Sequence, residues 1–499
     1  MLRSTLIVSA LSLLNSVLSF VNQLVLARLF GTGKDMDAYL VAISIPSTVT
    51  ALLVGSMGYQ LVPALQRAKS AYQYDDPTLQ SLVRGIGGTT ILLSLFCAFN
   101  AQNLILIFGA NLTELQEHLA IRIAVISWLC LPLAVVSSIY TAGLHVRLKF
   151  FAATAMGSIP IIGSLISCLT MHSRLGVSSI IWGQFISYFL MICGLRMAIG
   201  GLKQERDWRG LREVVSSLPW ALLALMIFVI YPFSDAVWGA NVGPAAVSYL
   251  GYAQRLLVGF SGLAVVGATT VLFPRFAKHA ATGDKSSLTS DVGLALRTML
   301  ALMAPSAAIL GALALPIIEL LFVRGAFSIH DAENLAAVFR VMLIGMVAMS
   351  AMGLAFKALF AQGHIKSAGL LSLSGAAIYF ILSAFFSTSD GLRGIGFAYS
   401  VTWWVIFAFT VRVLGLGIFS LARFIFCTII LSAVGWFTAY GLFYHLALAE
   451  VVCGGGGRVL MAATGSVLAC VLACLFLPGL SGSTSLVRRI LEAREQAVR

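Results

Sequence analysis

Charge is what this sequence has least of. Asp, Glu, Lys and Arg together make up 10% of its 499 residues, and 19 acids face 32 basic side chains. An average soluble domain carries about 25%, so no sizeable soluble domain is hidden in this chain. The pattern G-x-x-x-x-G-K-[ST] is absent, which excludes a P-loop nucleotide engine. The seven His include no H-E-x-x-H or other metal spacing, and the eight Cys (97, 130, 168, 193, 427, 453, 470 and 474) form no C-x-x-C pair. Most of those Cys lie inside apolar segments and read as small core residues. Basic stripes interleaved with aromatics are also missing, so the net charge of +13 does not signal nucleic acid. Neither a metal nor an organic cofactor is expected.

What the chain has instead is apolar length. It is 59% hydrophobic with a mean hydropathy of +0.96, and apolar runs of about 20 residues, each long enough to cross a bilayer, recur along nearly all of it. Runs such as ISWLCLPLAVVSSIYTAGL are continuous and too long for a β-barrel strand. The first run, from Leu6 onward, passes through Asn15, Asn22 and Gln23 without a cleavage-site pattern and reads as a retained span. Fourteen spans are predicted, near 4–28, 37–62, 81–101, 117–142, 151–170, 177–198, 215–236, 245–273, 293–315, 332–360, 367–386, 392–413, 421–446 and 458–478.

Basic residues gather in alternate connections: Arg67 and Lys69; Arg147 and Lys149; Lys203 to Arg212; Arg275, Lys278 and Lys285; Lys366; Arg412 and Arg423; and Arg488 to Arg494. Short basic loops stay cytoplasmic, so both termini are expected inside, in keeping with an even number of spans. A weak repeat relates Gly31, Tyr39, Pro63, Arg67 and Lys69 to Gly239, Tyr249, Pro274, Arg275 and Lys278. The expected fold is therefore an all-α polytopic membrane protein with two six-helix lobes, 1–200 and 213–415, around a central cavity. Two extra helices (420–480) and a cytoplasmic tail (481–499) follow. The Gly454 to Gly457 run is expected as a flexible joint between the last two spans.

Polar groups in a span are costly and tend to face a cavity or a partner. Those present are Asn15, Asn22, Gln23, Arg28, Asp37, Gln60, Arg122, Asp235, Arg255, Arg340 and Lys357. Arg28 and Arg255 have the forked geometry that suits phosphate, or they pair with an acid or snorkel to the interface. Asp35 and Asp37 equally suit the start of span 2 as caps. Asp235 suits a coupling cation or proton, or lies in water at a helix end. Arg122, Arg340 and Lys357 suit interhelical or headgroup contacts.

The segment SLLNSVLSFVNQLVLARLFGTGKDMDAYLVAISIP, followed by YQLVP, resembles the MviN/MurJ family of lipid II flippases within the superfamily of multidrug and oligosaccharidyl-lipid exporters. Arg28, Gly31, Gly33, Asp37, Ala38 and Tyr39 carry its turn between helices 1 and 2. SYLGYAQRLLVGFSGLAVVGATTVLFPRFAKHAATGD and LLFVRGAFSIHDAENLAAVFRVMLIGM are similar to its helix 8 region and its helix 9 to 10 connection. The resemblance implies a bacterial inner-membrane flippase that moves an undecaprenyl-pyrophosphate-linked saccharide outward by alternating access of two lobes. It further implies substrate contacts from Arg28, Asn22, Asp37, Gln60 and Arg255, a lipid-tail groove at helices 13 and 14, and coupling to Na+, H+ or the membrane potential, with Asp235 as the cation candidate. Membrane lipids and glycan-synthesis enzymes are the expected neighbours, with neither an ATPase domain nor nucleic acid.

The chain departs from the family around the cavity. Ser16 and Asn22 stand where its first helix carries arginines, Gln23 where an acid follows, Thr50 and Ala51 near its helix 2 arginine pair, and Tyr379 and Ser383 at the expected helix 11 cation partners. Fewer cations hold a diphosphate and peptide carboxylates less well. Two other transport readings therefore stay open: a relative that flips a lipid-linked exopolysaccharide or surface-glycan repeat unit, and a cation-coupled multidrug-type antiporter. A non-transporting scaffold is the remaining alternative.

Overall fold

The computed structural model describes residues 2–72, 76–108, 112–200, 208–262, 285–416, 418–445 and 448–476, which are helical apart from short turns and contain no strand. The Lys203 to Arg206 part of the basic loop, Arg275, Lys278 and the tail 481–499 lie outside the described residues. In a bilayer only helices and closed barrels satisfy every backbone polar group, so an apolar chain of this kind is helical almost throughout.

The helices run α1 (Leu2–Phe30), α2 (Lys34–Tyr72), α3 (Asp76–Phe99), α4 (Ala101–Phe108), α5 (Glu114–Val146), α6 (Phe150–Gly157), α7 (Ile159–Leu175), α8 (Ser178–Ile199), α9 (Trp208–Val229), α10 (Tyr231–Val242), α11 (246–262), α12 (Lys285–Ala312), α13 (Ala314–Phe322), α14 (Ile329–Ala361), α15 (Ile365–Val413), α16 (Ile418–His445) and α17 (Leu448–Phe476). Each predicted span overlaps one or two of these helices, with 263–273 of the eighth, 446 of the thirteenth and 477–478 of the last outside the described residues. By length and hydropathy alone, eight described helices qualify as membrane spans, or nine if the pair bent by 43° at Ile230 counts as one. Shorter apolar helices at Leu14–Phe30, Thr428–Tyr444 and Gly456–Cys470 lie in the first and the last two predicted spans. The 49 residues of α15 are about 74 Å of helix, more than twice the roughly 30 Å of a bilayer core. They fold as a hairpin at Asp390 and Gly391, whose φ is +53°. Ring contacts of Phe386 with Phe397 and of Tyr379 with Tyr399 show that its halves run antiparallel. Fourteen spans are compatible with this arrangement.

The Gly454 to Gly457 run lies inside α17 rather than in a loop. Glycine is a poor helix former in water, but a membrane leaves an open backbone nowhere to find partners.

Compactness divides the chain into two units, 1–251 with 324–327, and 252–323 with 328–499. In the first unit α5 is the central post, with α2, α3 and α8 packed on it. Met57, Leu61, Leu82, Leu131, Val135, Ile139 and Leu195 fill the space between them. Lipid tails are as apolar as these side chains, so close packing and small residues hold such helices together. At the α7–α8 contact an added Cβ on Gly183 would lie 2.7 Å from the Gly163 carbonyl. Asn15 ties α1 to the break between α6 and α7: its Oδ1 accepts from Ser158 Oγ at 2.5 Å and its Nδ2 donates to the Thr154 carbonyl at 3.3 Å. Arg147 and Lys149 donate to the Ile199 and Ala198 carbonyls at 2.8 and 2.7 Å. These two residues of a basic connection thus satisfy the open carbonyl end of α8.

In the first unit α9 and α10 pack on α2, so the seventh span and the start of the eighth cluster with the first six. Where α9 breaks before α10, Thr48 Oγ1 donates to the Val229 carbonyl at 3.3 Å, replacing a ladder bond. In the second unit α14 packs on α15 and α12, and α16 on α12 and α17. Ser400 Oγ enters the backbone ladder of α14, donating to the Val341 carbonyl at 2.7 Å and accepting from Gly345 N–H at 3.0 Å.

Candidate functional site

The turn from Arg28 to Asp37 is held by the 324–327 loop, the start of α5 and the head of α11. Gly31 and Gly325 have φ values of +60° and +67° and pack the turn against the 324–327 loop. An added Cβ on Gly31 would lie 2.4 Å from the Ala326 carbonyl oxygen, and one on Gly325 would lie 2.3 Å from that of Arg28. Only glycine permits both the backbone conformation and the approach. Ala326 N–H donates to the Arg28 carbonyl at 3.0 Å, so the sequence motif buries backbone against backbone. Gln116, at the start of α5, donates from Nε2 to the Lys34 carbonyl at 2.9 Å and accepts from Thr113 N–H at 3.0 Å.

Asp37 is 7% exposed. Its Oδ2 accepts from Ala245 N–H at 2.6 Å, and its Oδ1 accepts from Ser248 N–H at 2.9 Å and Ser248 Oγ at 2.5 Å. The carboxylate thereby caps the first turn of α11, a helix 211 residues away in sequence to Ser248, where free N–H groups and the helix dipole favour a negative charge. One turn on, an added Cβ at Gly251 would lie 3.1 Å from Leu40 Cδ1, so glycine keeps α2 and α11 close.

The other candidates occupy different depths and faces. Arg28 is exposed, on the same side of α1 as Val17 and Val21. Asn22 is 8% exposed and shares the face of Asn15, toward α6 and α7; its Oδ1 has no partner among the described residues. On α2 the side chain of Gln60 lies on the buried face with Ser56, Met57 and Ala64, and neither of its amide atoms has a described partner. Gln60 is 26 residues past the start of α2 and Asn22 eight before the end of α1, about 39 and 12 Å along their helices from the shared turn. These two amides therefore do not form one cluster.

Arg255 sits on an open face of α11. Its guanidinium carbon lies 5.9 Å from the Tyr252 ring centroid, and its Nη1 is buried without a described partner. One and two turns on, no described atom lies within 4 Å of an added Cβ at Gly259 or Gly262, and Val258 is 59% exposed. An arginine with an unspent donor over a cleared face suits an anion. Asp235 is 3% exposed in α10, just past the break, and makes a contact of its own; the neighbouring Ser234 Oγ is fully buried with no described partner. Within the described residues no group of three or more His, Cys, Asp or Glu is placed to hold a metal.

Sequence reasoning missed Gln116, Ser248 and Gln254. Gln254 precedes Arg255 and likewise carries a buried amide nitrogen without a described partner. Its position beside an arginine in a span was the available signal.

The sequence matches the family model described as lipid II flippase MurJ over residues 26–476. It is 24% identical over 437 residues, 82% of each chain, to a probable lipid II flippase MurJ of Buchnera aphidicola. Against the lipid II flippase MurJ of Burkholderia cenocepacia the identity is 23%, covering 73% of this chain and 74% of the relative. A solved structure of lipid II flippase MurJ in an inward closed conformation shares the fold with a TM-score of 0.77 at 20% identity, covering 97% of this chain and 100% of that one. An inward-facing multidrug MATE family transporter aligns with a TM-score of 0.67 at 13% identity, over 80% and 94% of the two chains. With the family model spanning nearly the whole chain, this multi-pass membrane protein belongs to the lipid II flippase MurJ family, a family of transporters rather than catalysts.

Proposed function

We propose that this protein flips an undecaprenyl-pyrophosphate-linked saccharide precursor across the bacterial cytoplasmic membrane by alternating access, with peptidoglycan lipid II as the first substrate to test. The observation that carries the reading is Arg255, whose buried Nη1 has no partner among the described residues on an open helix face in a chain matched by the flippase family model. A guanidinium offers a diphosphate two parallel hydrogen bonds. Arg28 adds a second cation at the end of α1, while Asn22 and Gln60 supply amides for sugar hydroxyl or acetamido groups at two depths. Asp37 serves the substrate path indirectly by fixing the head of α11.

In this proposal the lobes 1–200 and 213–415 exchange access, 420–480 holds the polyprenyl tail, and both termini are cytoplasmic. Asp235 beside the broken helix is the candidate handle for Na+ or H+, supported by its burial and by the fully buried Ser234 next to it. No cofactor is required, because lobe motion driven by an ion gradient or the membrane potential supplies the work.

A second reading, a lipid-linked exopolysaccharide or surface-glycan repeat unit, is favoured by one specific observation: Asn22 and Gln23 are neutral amides with buried oxygens that have no partner among the described residues. Vesicles containing the purified full chain, loaded in parallel with lipid II and with a neutral polyprenyl-diphosphate oligosaccharide, separate the two. Preferential transfer of lipid II supports the first reading, preferential transfer of the neutral substrate the second, and transfer of neither rejects both.

A further inference from the structure

In the second unit, α16 carries Trp436, Tyr440 and Tyr444 four residues apart on one side, exposed by 37, 47 and 45%. Such spacing makes a strip about 12 Å long. At one end, the Trp436 ring stacks against Gly311, where an added Cβ would lie 2.7 Å from Trp436 Cζ3, and Arg340 Nε donates to the carbonyl of that same glycine at 3.2 Å. At the other end, Tyr444 stacks on Tyr440 at 4.4 Å and touches Phe443 at 5.0 Å. Arg458 of α17 lies 4.9 Å over the Phe443 ring and donates to the Phe443 carbonyl at 2.6 Å. Each end of the aromatic strip is thus held against an arginine.

An exposed guanidinium along a span costs a few kcal/mol unless it meets water or an anion. Arg340 is exposed and lies 11 residues into α14, about 17 Å from its start. A ring of interfacial tyrosines explains the aromatics but not an arginine this far along a helix. Aromatic walls with a few fixed cations are the ordinary makeup of a site for an amphipathic anion.

We propose that this strip is an exit subsite, where the diphosphate head of the translocated polyprenyl-linked saccharide rests on the side where α16 ends. Arg340 holds the diphosphate, the sugar rings lie against Trp436 and Tyr440, and Arg458 donates to the far end of the saccharide. The inference rests on the flippase reading above and on the orientation that puts the end of α16 outside. A phospholipid headgroup, with its single phosphate, would leave most of the strip uncovered.

The test uses the full chain in phosphatidylcholine nanodiscs titrated with an undecaprenyl-diphosphate-linked disaccharide, reading the part of the tryptophan emission change that Trp436→Phe removes. The expected result is a saturable change whose midpoint rises about tenfold in Arg340→Gln and in Arg458→Gln, the scale of one charge-assisted hydrogen bond. Tyr440→Leu, which leaves both arginine contacts in place, also weakens it, and Arg122→Ala does not. The proposal is overturned if phosphatidylglycerol gives the same change at the same concentration, if the arginine and Tyr440 variants titrate like the parent, or if Arg122→Ala abolishes the signal. Intact strip binding in a protein that flips no polyprenyl-linked saccharide would count against the proposed function instead.

Discussion

Asp37 and Ser248 form a cap in trans: the carboxylate at the start of α2 takes both the backbone N–H and the hydroxyl of a residue in the first turn of α11. Two buried donors depend on one side chain, together with Ala245 N–H on its other oxygen. Asp37→Asn keeps the shape but turns one acceptor into a donor facing a donor. The expected loss is about 2 kcal/mol, against about 1 kcal/mol for Ser248→Ala. Because the two residues share one interaction, the double variant loses less than the sum. Thermal unfolding in detergent, run as a double-mutant cycle, checks the coupling; strict additivity would show that the cap contributes nothing.

The glycine pair makes a harsher prediction. Gly31→Ala and Gly325→Ala each combine a left-handed backbone, worth about 1–2 kcal/mol for a residue with a Cβ, with overlap on a carbonyl oxygen that only backbone movement relieves. Membrane-inserted, monodisperse protein should fall sharply for both. Gly259→Ala, with open space at its Cβ, is expected to leave yield unchanged or raise it, since alanine is the better helix former. Equal yields across the three variants would contradict the packing described for the turn.

Arg255→Ala is expected to slow flipping by about tenfold or more, while Arg122→Ala at equal expression has a much smaller effect. The difference follows from the buried Nη1 of Arg255, which has no partner among the described residues and suits the proposed bound anion. Initial rates in vesicles decide it. Indistinguishable rates for the two variants would remove Arg255 from the substrate path.

Ser400→Ala opens both halves of the bridge between Val341 and Gly345. A buried N–H and carbonyl left without partners cost about 1–3 kcal/mol each, unless α14 straightens and pairs them directly. The expected result is lower thermal stability together with faster amide exchange at Gly345. Unchanged exchange there would mean that α14 re-forms its own ladder and that Ser400 is dispensable.

Much of the architecture is legible in the sequence because the bilayer leaves few alternatives. Apolar length marks the spans, and the hairpin inside α15 is foreshadowed by the Asp390 and Gly391 pair between two apolar runs. Gly454 to Gly457 misleads, since the turn preference of glycine in water does not govern a backbone that must satisfy itself in lipid. At the site, the charges of the Arg28 to Asp37 turn stand out in so apolar a chain, yet their roles do not. Asp37 carries a capping task whose partner, Ser248, lies 211 residues away, and a lone serine advertises nothing. Gln60 and Asn22 were visible as polar residues in spans. Which helix face each occupies depends on where α5, α6 and α7 pack, and no local pattern encodes that.

The central claim is tested most directly by mass spectrometry of polyprenyl-diphosphate-linked saccharides in cells depleted of this protein, compared with the same cells re-expressing it. The account predicts that one such intermediate accumulates on depletion and clears on re-expression, and that the Arg255→Ala variant fails to clear it. Accumulated lipid II identifies the peptidoglycan precursor as the substrate; a different lipid-linked glycan with lipid II unchanged identifies a surface-glycan flippase. No change in any polyprenyl-linked saccharide would contradict the account.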